Sequence, residues 1–392
     1  MVSDRRLELS LQPSVLRWAR ERSSLDLEEL AHKAGVKVER VRDWEETGRI
    51  SIAQVEKLAQ KTHTPEGFLY LPVPPEDRLQ IPDLRTVGDT PPPRPSPDLL
   101  DTVHAMERRQ AWMRDELIEQ GADRLPFVGS ATPDAPTEDV ARAMRDVLDL
   151  QGGWAADVPT WTDALRMLHG RIDEAGVLTV SNGVVGNNTH RRLDPDEFRG
   201  FSLVDEYASL VFVNAADFKS AQMFTLIHEL AHIWMNASGV DNPNLGDPDA
   251  PRPDVEQRSN AIAAEFLIPA ADLRVVWARV SNSADRFEQV ARIYKTSRIV
   301  AARRALDLNL IGRTEFFDFY AEYEAEERRT QRPQGEGGDF WKTQGARLGR
   351  RFSQAVVEAV QEGRLLYRDA YSLTGLQGPT FDKYVDRVRA ES

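Results

Sequence analysis

One stretch of the sequence, between Phe224 and Met235, constrains the chain more than any other. It reads F-T-L-I-H-E-L-A-H-I-W-M, so His228, Glu229 and His232 are polar residues within an otherwise apolar run. Residues four apart lie on one face of an α-helix, and the spacing therefore predicts that the two imidazoles can bind one metal ion. Burying three polar side chains costs free energy unless they have a partner. A zinc ion is the partner that accounts for all three.

The carboxylate of this motif has a different expected role from the histidines. Glu229 follows His228 directly, which places it beside the metal, where a carboxylate can orient a water molecule and accept its proton. The motif therefore predicts Glu229 as the catalytic residue and one Zn²⁺ ion as the cofactor, with Mn²⁺ as the alternative ion. H-E-x-x-H also arises by chance, but chance matches usually fall in polar, loop-like sequence.

A third metal ligand has to come from elsewhere in the chain, because catalytic zinc sites take three protein ligands and leave one position open. The chain has no cysteine and no further histidine close to the motif. A carboxylate on the next predicted helix, residues 255–268, is the economical choice, and Glu256 is favoured. Asn260, one turn later, is predicted to support the site as a hydrogen-bond donor. Glu265 and Asp254 stay open as alternative ligands, and the commoner fate of any such acid is a solvated helix face.

The bulk composition describes a soluble globular protein of two or three domains. The 392 residues are 41% hydrophobic and 29% charged, and no run of about twenty apolar residues predicts a membrane span. The amino terminus lacks the apolar core of a secretion signal, and together with the absence of cysteine this predicts a cytoplasmic protein. The net charge of −13 argues against broad, sequence-independent binding to nucleic acid, while a local DNA-binding surface stays open.

Residues 1–71 are predicted to form an all-α domain of short helices. Two of these helices are separated by a turn at Gly35, which is typical of a helix-turn-helix. The order of residues resembles the repressor-type (XRE) helix-turn-helix family at Leu30-Ala31, Gly35-Val36, Val41, Trp44-Glu45, Gly48 and Leu58-Ala59. The resemblance implies that residues 37–43 include the recognition helix. It suggests as DNA-contacting residues Lys33, Lys37, Arg40, Arg42 and Arg49.

The charge of this domain leaves its partner open. Residues 1–75 contain twelve Lys or Arg and twelve Asp or Glu, a balance of zero. DNA-binding domains usually show a basic surface, so DNA, a partner protein and a second subunit in a homodimer all remain candidates.

The remainder of the chain divides, by composition, into three predicted regions. Residues 72–97 are a proline-rich linker, 98–311 an α+β domain, and 312–392 a helical accessory region. In the α+β domain three helices precede a small sheet, in which residues 177–180 and 184–186 are expected to form a hairpin through Ser181-Asn182-Gly183. Strands are also expected at 198–202 and 210–213, before the metal helix, and a loop at 239–253. Strands followed by an H-E-x-x-H helix resemble a zincin of the gluzincin type.

A second resemblance covers about residues 200–310. F-T-L-I-H-E-L-A-H followed by E-x-x-x-N-A-I-A-A-E-F-L-I-P resembles the ImmA/IrrE family of metallopeptidases, apart from Ile262, where relatives often have Phe. The resemblance implies the zinc ligands His228, His232 and Glu256, and a catalytic Glu229. It also implies a zinc endopeptidase that cleaves a partner repressor or antitoxin-like regulator at one site, in a stress, phage or mobile-element response.

Two other functions remain open from the sequence. One is a DNA-binding transcription regulator whose metal domain senses a signal without proteolysis, and the other is an antitoxin-like binding module. For the peptidase, the extended substrate is expected to pair with an edge strand formed by Leu210, Val211, Phe212 and Val213.

Overall fold

The computed structural model describes residues 8–76, 79, 81–82, 94–241, 254–330 and 340–391. The chain divides into two compact units, Met1–Gln80 with Pro93–His104, and Ile81–Pro92 with Ala105–Ser392. Most of the predicted linker 72–97 lies outside the described residues, and the domain boundaries predicted above stay predictions. No helix of the described part is long and apolar enough to cross a membrane.

The first unit is a set of short helices around one apolar core. The helices are α1 (Pro13–Arg22), α2 (Leu27–Ala34), α3 (Val38–Thr47) and α4 (Ile52–Lys61), followed by a 3₁₀ turn, Glu66–Tyr70. Gly35 and Gly48, with φ of +62° and +72°, end α2 and α3 in the left-handed conformation that glycine adopts at low cost. Two three-residue antiparallel strands that the sequence did not predict are β1 (Glu8–Ser10) and β2 (Arg49–Ser51).

The second unit begins within α5 (Pro97–Glu119), from Ala105 onward. Its helices before the sheet are α6 (Thr137–Val147) and α7 (Trp161–Glu174). Its strands are β3 (Leu178–Asn182), β4 (Val184–Val185), β5 (Asn188–Arg192), β6 (Gly200–Leu203), β7 (Leu210–Asn214) and β8 (Gly239–Asp241). The later helices are α8 (Lys219–Trp234), α9 (Asp254–Leu267), α10 (Ala270–Val280), α11 (Arg286–Tyr294), α12 (Arg298–Asp307), α13 (Arg313–Thr330), α14 (Phe340–Leu348), α15 (Arg350–Gln361), α16 (Tyr367–Thr374) and α17 (Gly378–Glu391). The mixture of many helices with a small four-stranded sheet and two short strand pairs is the predicted α+β class.

The sheet corrects the predicted hairpin. Its order is β3-β7-β6-β8, in which β3 runs parallel to β7 and the other pairs are antiparallel. The strand after Gly183, β4, pairs with β5 in a separate two-stranded sheet. The turn-forming residues Ser181-Asn182-Gly183 therefore lead out of the main sheet, because β3 finds its partner some thirty residues further along the chain.

The position of β7 corrects the predicted substrate strand. Leu210, Val211, Phe212 and Val213 lie in β7, which pairs with β3 on one side and with β6 on the other. Their backbone groups are already used in the sheet, so the prediction that they form an edge strand is wrong. The edges of this sheet are β3 and β8, and β8 lies in the segment that the sequence predicted as loop. The remainder of that segment, 242–253, lies outside the described residues.

The two sheet edges differ in what covers them. A Cβ at Gly349, between α14 and α15, would lie 2.4 Å from the carbonyl oxygen of Thr179 in β3. The amide of Leu178 donates to the carbonyl oxygen of Ser209, next to β7. Because neighbouring residues of a strand direct their backbone groups to opposite sides, the carbonyl of Thr179 points outward. Gly349 therefore lies against the outer edge of β3. On β8, the Val240 amide points outward instead and donates to the carbonyl oxygen of Pro82, 3.0 Å away.

Candidate metal centre

Helix α8 carries the two histidines in the interior of the second unit. Residues 222–234 of α8 are all buried, as expected for a helix that is apolar on every side. His228 and His232 are 0% and 1% exposed. Four residues apart on one helical face, they bring their Nε2 atoms to 3.1 Å.

Helix α9 brings a carboxylate to the same point. The Oε2 of Glu256 lies 3.3 Å from Nε2 of His228, and its Oε1 lies 3.2 Å from Nε2 of His232. In a tetrahedral zinc site with bonds of about 2.0–2.1 Å, two ligand atoms are about 3.3–3.4 Å apart. The spacing of these three groups therefore fits one tetrahedral ion without rearrangement. Within the described residues, this is the only group of three or more His, Cys, Asp or Glu side chains close enough to hold a metal.

The electrostatics of the cluster favour an ionised carboxylate. Burial alone would raise the pKa of Glu256, but the hydrogen bonds and charge interactions with His228 and His232 outweigh burial, and the pKa lies below its usual range. An anionic oxygen facing two imidazole nitrogens is a donor set that suits Zn²⁺.

Glu229 lies beside this cluster and close to the sheet. Its side chain is fully buried, and its Oε1 would be 2.8 Å from a Cβ added at Gly200 of β6. Any side chain at residue 200 would therefore collide with the carboxylate. Gly200 pairs with Asp241 of β8, so Glu229 is separated from the outer edge of β8 by a single strand.

The other acids weighed as ligands are placed elsewhere. Glu265 forms an ion pair with Arg304 and accepts hydrogen bonds from the backbone amide of Ala270. Asp254 is exposed at the start of α9 and is not part of the cluster.

The predicted supporting role of Asn260 has no counterpart among the described contacts. Its Oδ1 is buried without a hydrogen-bond partner, whereas the neighbouring Ser259 places its Oγ 3.2 Å from Nε2 of His232. The sequence analysis missed Ser259. Ser259 lies three residues after Glu256 and on the same helical face, and this spacing could have identified it from the sequence.

The cations proposed for DNA contact lie on the helix-turn-helix unit. Arg40 is partly buried and pairs with Asp43 at 2.7 Å and with Glu8 at 3.7 Å. The other four are exposed, and no ion pair joins them to an acid within the described residues: Lys33, Lys37, Arg42 and Arg49. Glu45, one of the twelve acids of residues 1–75, is buried in a bidentate pair with Arg20 at 2.6 and 3.0 Å.

Three family models match parts of the chain. A helix-turn-helix model matches residues 16–69, a peptidase M78 model described as IrrE N-terminal-like matches residues 172–306, and a domain of unknown function matches residues 348–387. No curated protein and no solved structure matches the chain.

The fold, the cluster and these matches define a class: a protease-like regulator that joins a DNA-binding type of domain to a metallopeptidase-type domain. The pairing of an XRE-type helix-turn-helix with an IrrE-like peptidase domain is the architecture of the ImmA/IrrE family, as the sequence resemblance predicted.

Proposed function

We propose that the chain is a zinc-dependent endopeptidase that cleaves a partner regulator, of the repressor or antitoxin-like kind, and so controls gene expression in a stress, phage or mobile-element response in the cytoplasm. The observation that carries the proposal is the buried cluster of His228, His232 and Glu256, whose ligand atoms all lie within 4.8 Å of one another. Zn²⁺ suits two nitrogens and one oxygen at tetrahedral spacing, and Mn²⁺ is the alternative ion.

The chemistry follows from the position of each group. When bound, the metal supplies a Lewis acid that polarises the scissile carbonyl and activates water. Glu229 accepts the proton of the attacking water on a carboxylate oxygen and then donates it to the nitrogen of the leaving amine. Its carboxylate fills the space that a Cβ at Gly200 would occupy, so it lies between α8 and the sheet.

The outer edge of β8 is the best-placed site for an extended substrate. Val240 directs its amide away from β6 and donates to a peptide carbonyl of the chain itself, that of Pro82. A substrate strand added here would displace Pro82 and use the same donor. Asp241 of β8 pairs with Gly200, the position in β6 that faces the Glu229 carboxylate, so β8 lies next to the strand that faces the proposed proton acceptor.

The helix-turn-helix domain is proposed to bind DNA through its exposed cations Lys33, Lys37, Arg42 and Arg49. The pair of Glu45 with Arg20 is withdrawn from solvent and removes one charge of each sign, so the four exposed cations are what supports DNA binding. A homodimer would place two such units on half-sites about 34–36 Å apart.

The decisive experiment co-expresses the chain with candidate regulators and examines them by mass spectrometry. Wild type is expected to produce one cleavage site in one regulator, whereas Glu229→Gln, which retains the metal ligands, leaves that regulator intact. Cleavage by the Glu229→Gln variant would remove Glu229 from the mechanism. An intact regulator with wild type, together with operator binding at moderate salt, would favour the second candidate, a DNA-binding regulator that does not cleave.

A further inference from the structure

The outer edge of β8 carries a segment of the chain itself. The amide of Val240 donates to the carbonyl oxygen of Pro82, 3.0 Å away. Ile81 and Pro82, the edge segment, belong to the second unit, whereas the residues that precede them belong to the first. Ile81 is half-buried and Pro82 is exposed. The edge segment is therefore anchored by one partly covered side chain and one backbone hydrogen bond.

This contact uses the donor that a substrate strand needs. Val240 pairs with Phe201 of β6, and Gly239 and Asp241 pair with the residues on either side. Because alternate residues of an antiparallel strand direct their backbone groups to opposite sides, Val240 alone in β8 offers its amide and its carbonyl oxygen to a strand added outside. The edge segment already takes that amide. The edge segment and a substrate strand therefore cannot occupy β8 together.

The edge segment is a weak occupant of this position. Pro82 has no backbone N–H, so it accepts a hydrogen bond from Val240 and cannot return one to the outward carbonyl oxygen. Any other residue in an antiparallel neighbour can exchange both bonds. Pro82 is also exposed, so water competes for its single bond, which is worth less than a bond covered by a full substrate strand. A substrate strand can therefore displace the edge segment.

The proposed metal centre is closed to solvent while the edge segment is in place. His228, His232 and Glu256 are at most 2% exposed, and both carboxylate oxygens of Glu229 are buried. A general base has to come within hydrogen-bond reach of the proton that it accepts, so water and a peptide bond must both reach these atoms. Part of the chain must therefore move before cleavage, and the edge segment lies at the place where substrate is proposed to pair.

We propose that the edge segment is an intramolecular inhibitor: it occupies β8 in the resting protein and leaves when an extended segment of the regulator pairs with Val240. This rests on the proposed peptidase function. The ordinary alternative is a linker contact that has no influence on cleavage. An inhibitor competes with substrate for binding, so its release lowers KM and leaves kcat unchanged, whereas release of a passive contact changes neither constant.

The variant Ile81→Asp tests this release. A carboxylate in the half-buried position of Ile81 would lose part of its hydration, so the edge segment is expected to leave β8. KM for the regulator identified by co-expression is expected to fall roughly tenfold, the contribution of one partly buried apolar side chain, while kcat stays unchanged. Leu79→Asp is the matched control, because Leu79 is also half-buried but belongs to the first unit. It is expected to leave both constants unchanged.

Hydrogen exchange of the Val240 amide, followed by NMR on a chain labelled at its valine amides, reports on the contact without cleavage. In wild type this amide is expected to exchange roughly tenfold more slowly than in Ile81→Asp, and Leu79→Asp is expected to keep the wild-type rate. Exchange in wild type at the rate of an unbonded amide overturns the proposal, and this observation requires no variant to fold.

The two experiments together separate the inhibition from the proposed function. If Ile81→Asp frees the Val240 amide and KM for the regulator stays at the wild-type value, the contact is passive and the proposal is overturned. Cleavage by Ile81→Asp of a regulator that wild type leaves intact supports the proposal. If neither protein cleaves any regulator although the amide is freed, the proposed function itself fails, and the inhibitory role fails with it.

Discussion

The two ends of helix α9 each carry a buried glutamate, and the two have different surroundings. Glu256 in the first turn is 2% exposed and faces two imidazoles, whereas Glu265 in the last turn is 5% exposed and faces the guanidinium of Arg304. The negative charge of Glu265 is neutralised by Arg304 within the fold. The carboxylate of Glu256 faces two imidazoles and can bind a metal ion together with them. The two residues are of the same type, are buried to a similar extent and lie on the same helix. Only the group that each carboxylate faces distinguishes the candidate metal ligand from the structural acid.

The largest expected effect concerns Glu256. Glu256→Gln keeps the shape and the volume of the side chain, so the fold is expected to persist. Zinc affinity should fall by more than the roughly 10- to 100-fold that loss of a supporting contact costs, and cleavage should be lost. Chelator competition and circular dichroism measure the two effects. Wild-type zinc affinity in this variant would show that another acid is the ligand.

The opposite end of α9 is expected to respond in the opposite way. Glu265→Gln leaves the buried Arg304 without its counter-charge, which typically costs about 3–5 kcal/mol. The free energy of unfolding, from urea denaturation, should fall by about that amount, while the folded fraction binds zinc as wild type does. A variant that stays stable but loses zinc would reverse the two assignments.

A smaller effect is expected from a substitution in β8, the sheet edge proposed to bind substrate. Val240→Pro removes the outward amide of β8 but leaves the pairing with β6, because proline is tolerated where the missing N–H faces away from the neighbouring strand. We expect kcat/KM for the regulator to fall about 10-fold, the worth of one hydrogen bond. Val240→Ala, which retains the amide, is the control for lost packing. Equal losses in both variants would argue against substrate pairing at β8.

The smallest effect on cleavage is expected at the covered edge, β3, where the change is in stability. Asp173 of α7 accepts hydrogen bonds from the Thr179 hydroxyl and the backbone amides of Arg350 and Arg351, at the start of α15. Burial raises its pKa to about 6, from an ordinary value of 3.8. The folded protein therefore holds the proton more tightly than the unfolded chain, and this stabilisation is complete below pH 4 and is lost as the pH rises through 6.

Asp173→Asn remains neutral at every pH and keeps an acceptor oxygen. The variant is expected to exceed wild type in stability by up to about 3 kcal/mol well above pH 6, with the difference disappearing near pH 4. Thermal unfolding at a series of pH values measures it. A difference between the two proteins that does not change with pH would show that the charge of Asp173 is unimportant there.

The sequence predicted those features that depend on neighbours within one helix. The buried polar residues of α8 stand out because an apolar run rarely tolerates them, and the turns at Gly35 and Gly48 carry a local conformational requirement. Pairing between distant strands has no comparable local signal. The Asn182-Gly183 dipeptide indicated a hairpin, yet β3 pairs with the remote β7, and for the same reason β7 was wrongly predicted as an edge.

The other differences between prediction and structure have two causes: one strand is very short, and the sequence does not show in which direction a single side chain points. Strand β8 is three residues long and begins with glycine, so no alternation of apolar and polar residues marks it. Ser259 and Asn260 are adjacent polar residues on α9, and only the rotation of that helix relative to α8 decides which one reaches His232. The sequence also could not show that Glu45 points inward to Arg20.

The side chain of Arg109 has a consequence for how the chain can be divided. Arg109, on α5, is buried, and it donates to the carbonyl oxygens of Arg347 and Leu373, near the ends of α14 and α16. Neither of these acceptors is a carboxylate, so the carbonyl oxygens near two helix termini accommodate the charge of Arg109. A chain that stops after residue 311 would lose both of these acceptors and would expose the surfaces of β3 and α7 against which α14 and α15 pack. The carboxy-terminal helices are therefore an integral part of the second unit and not a removable appendix to it.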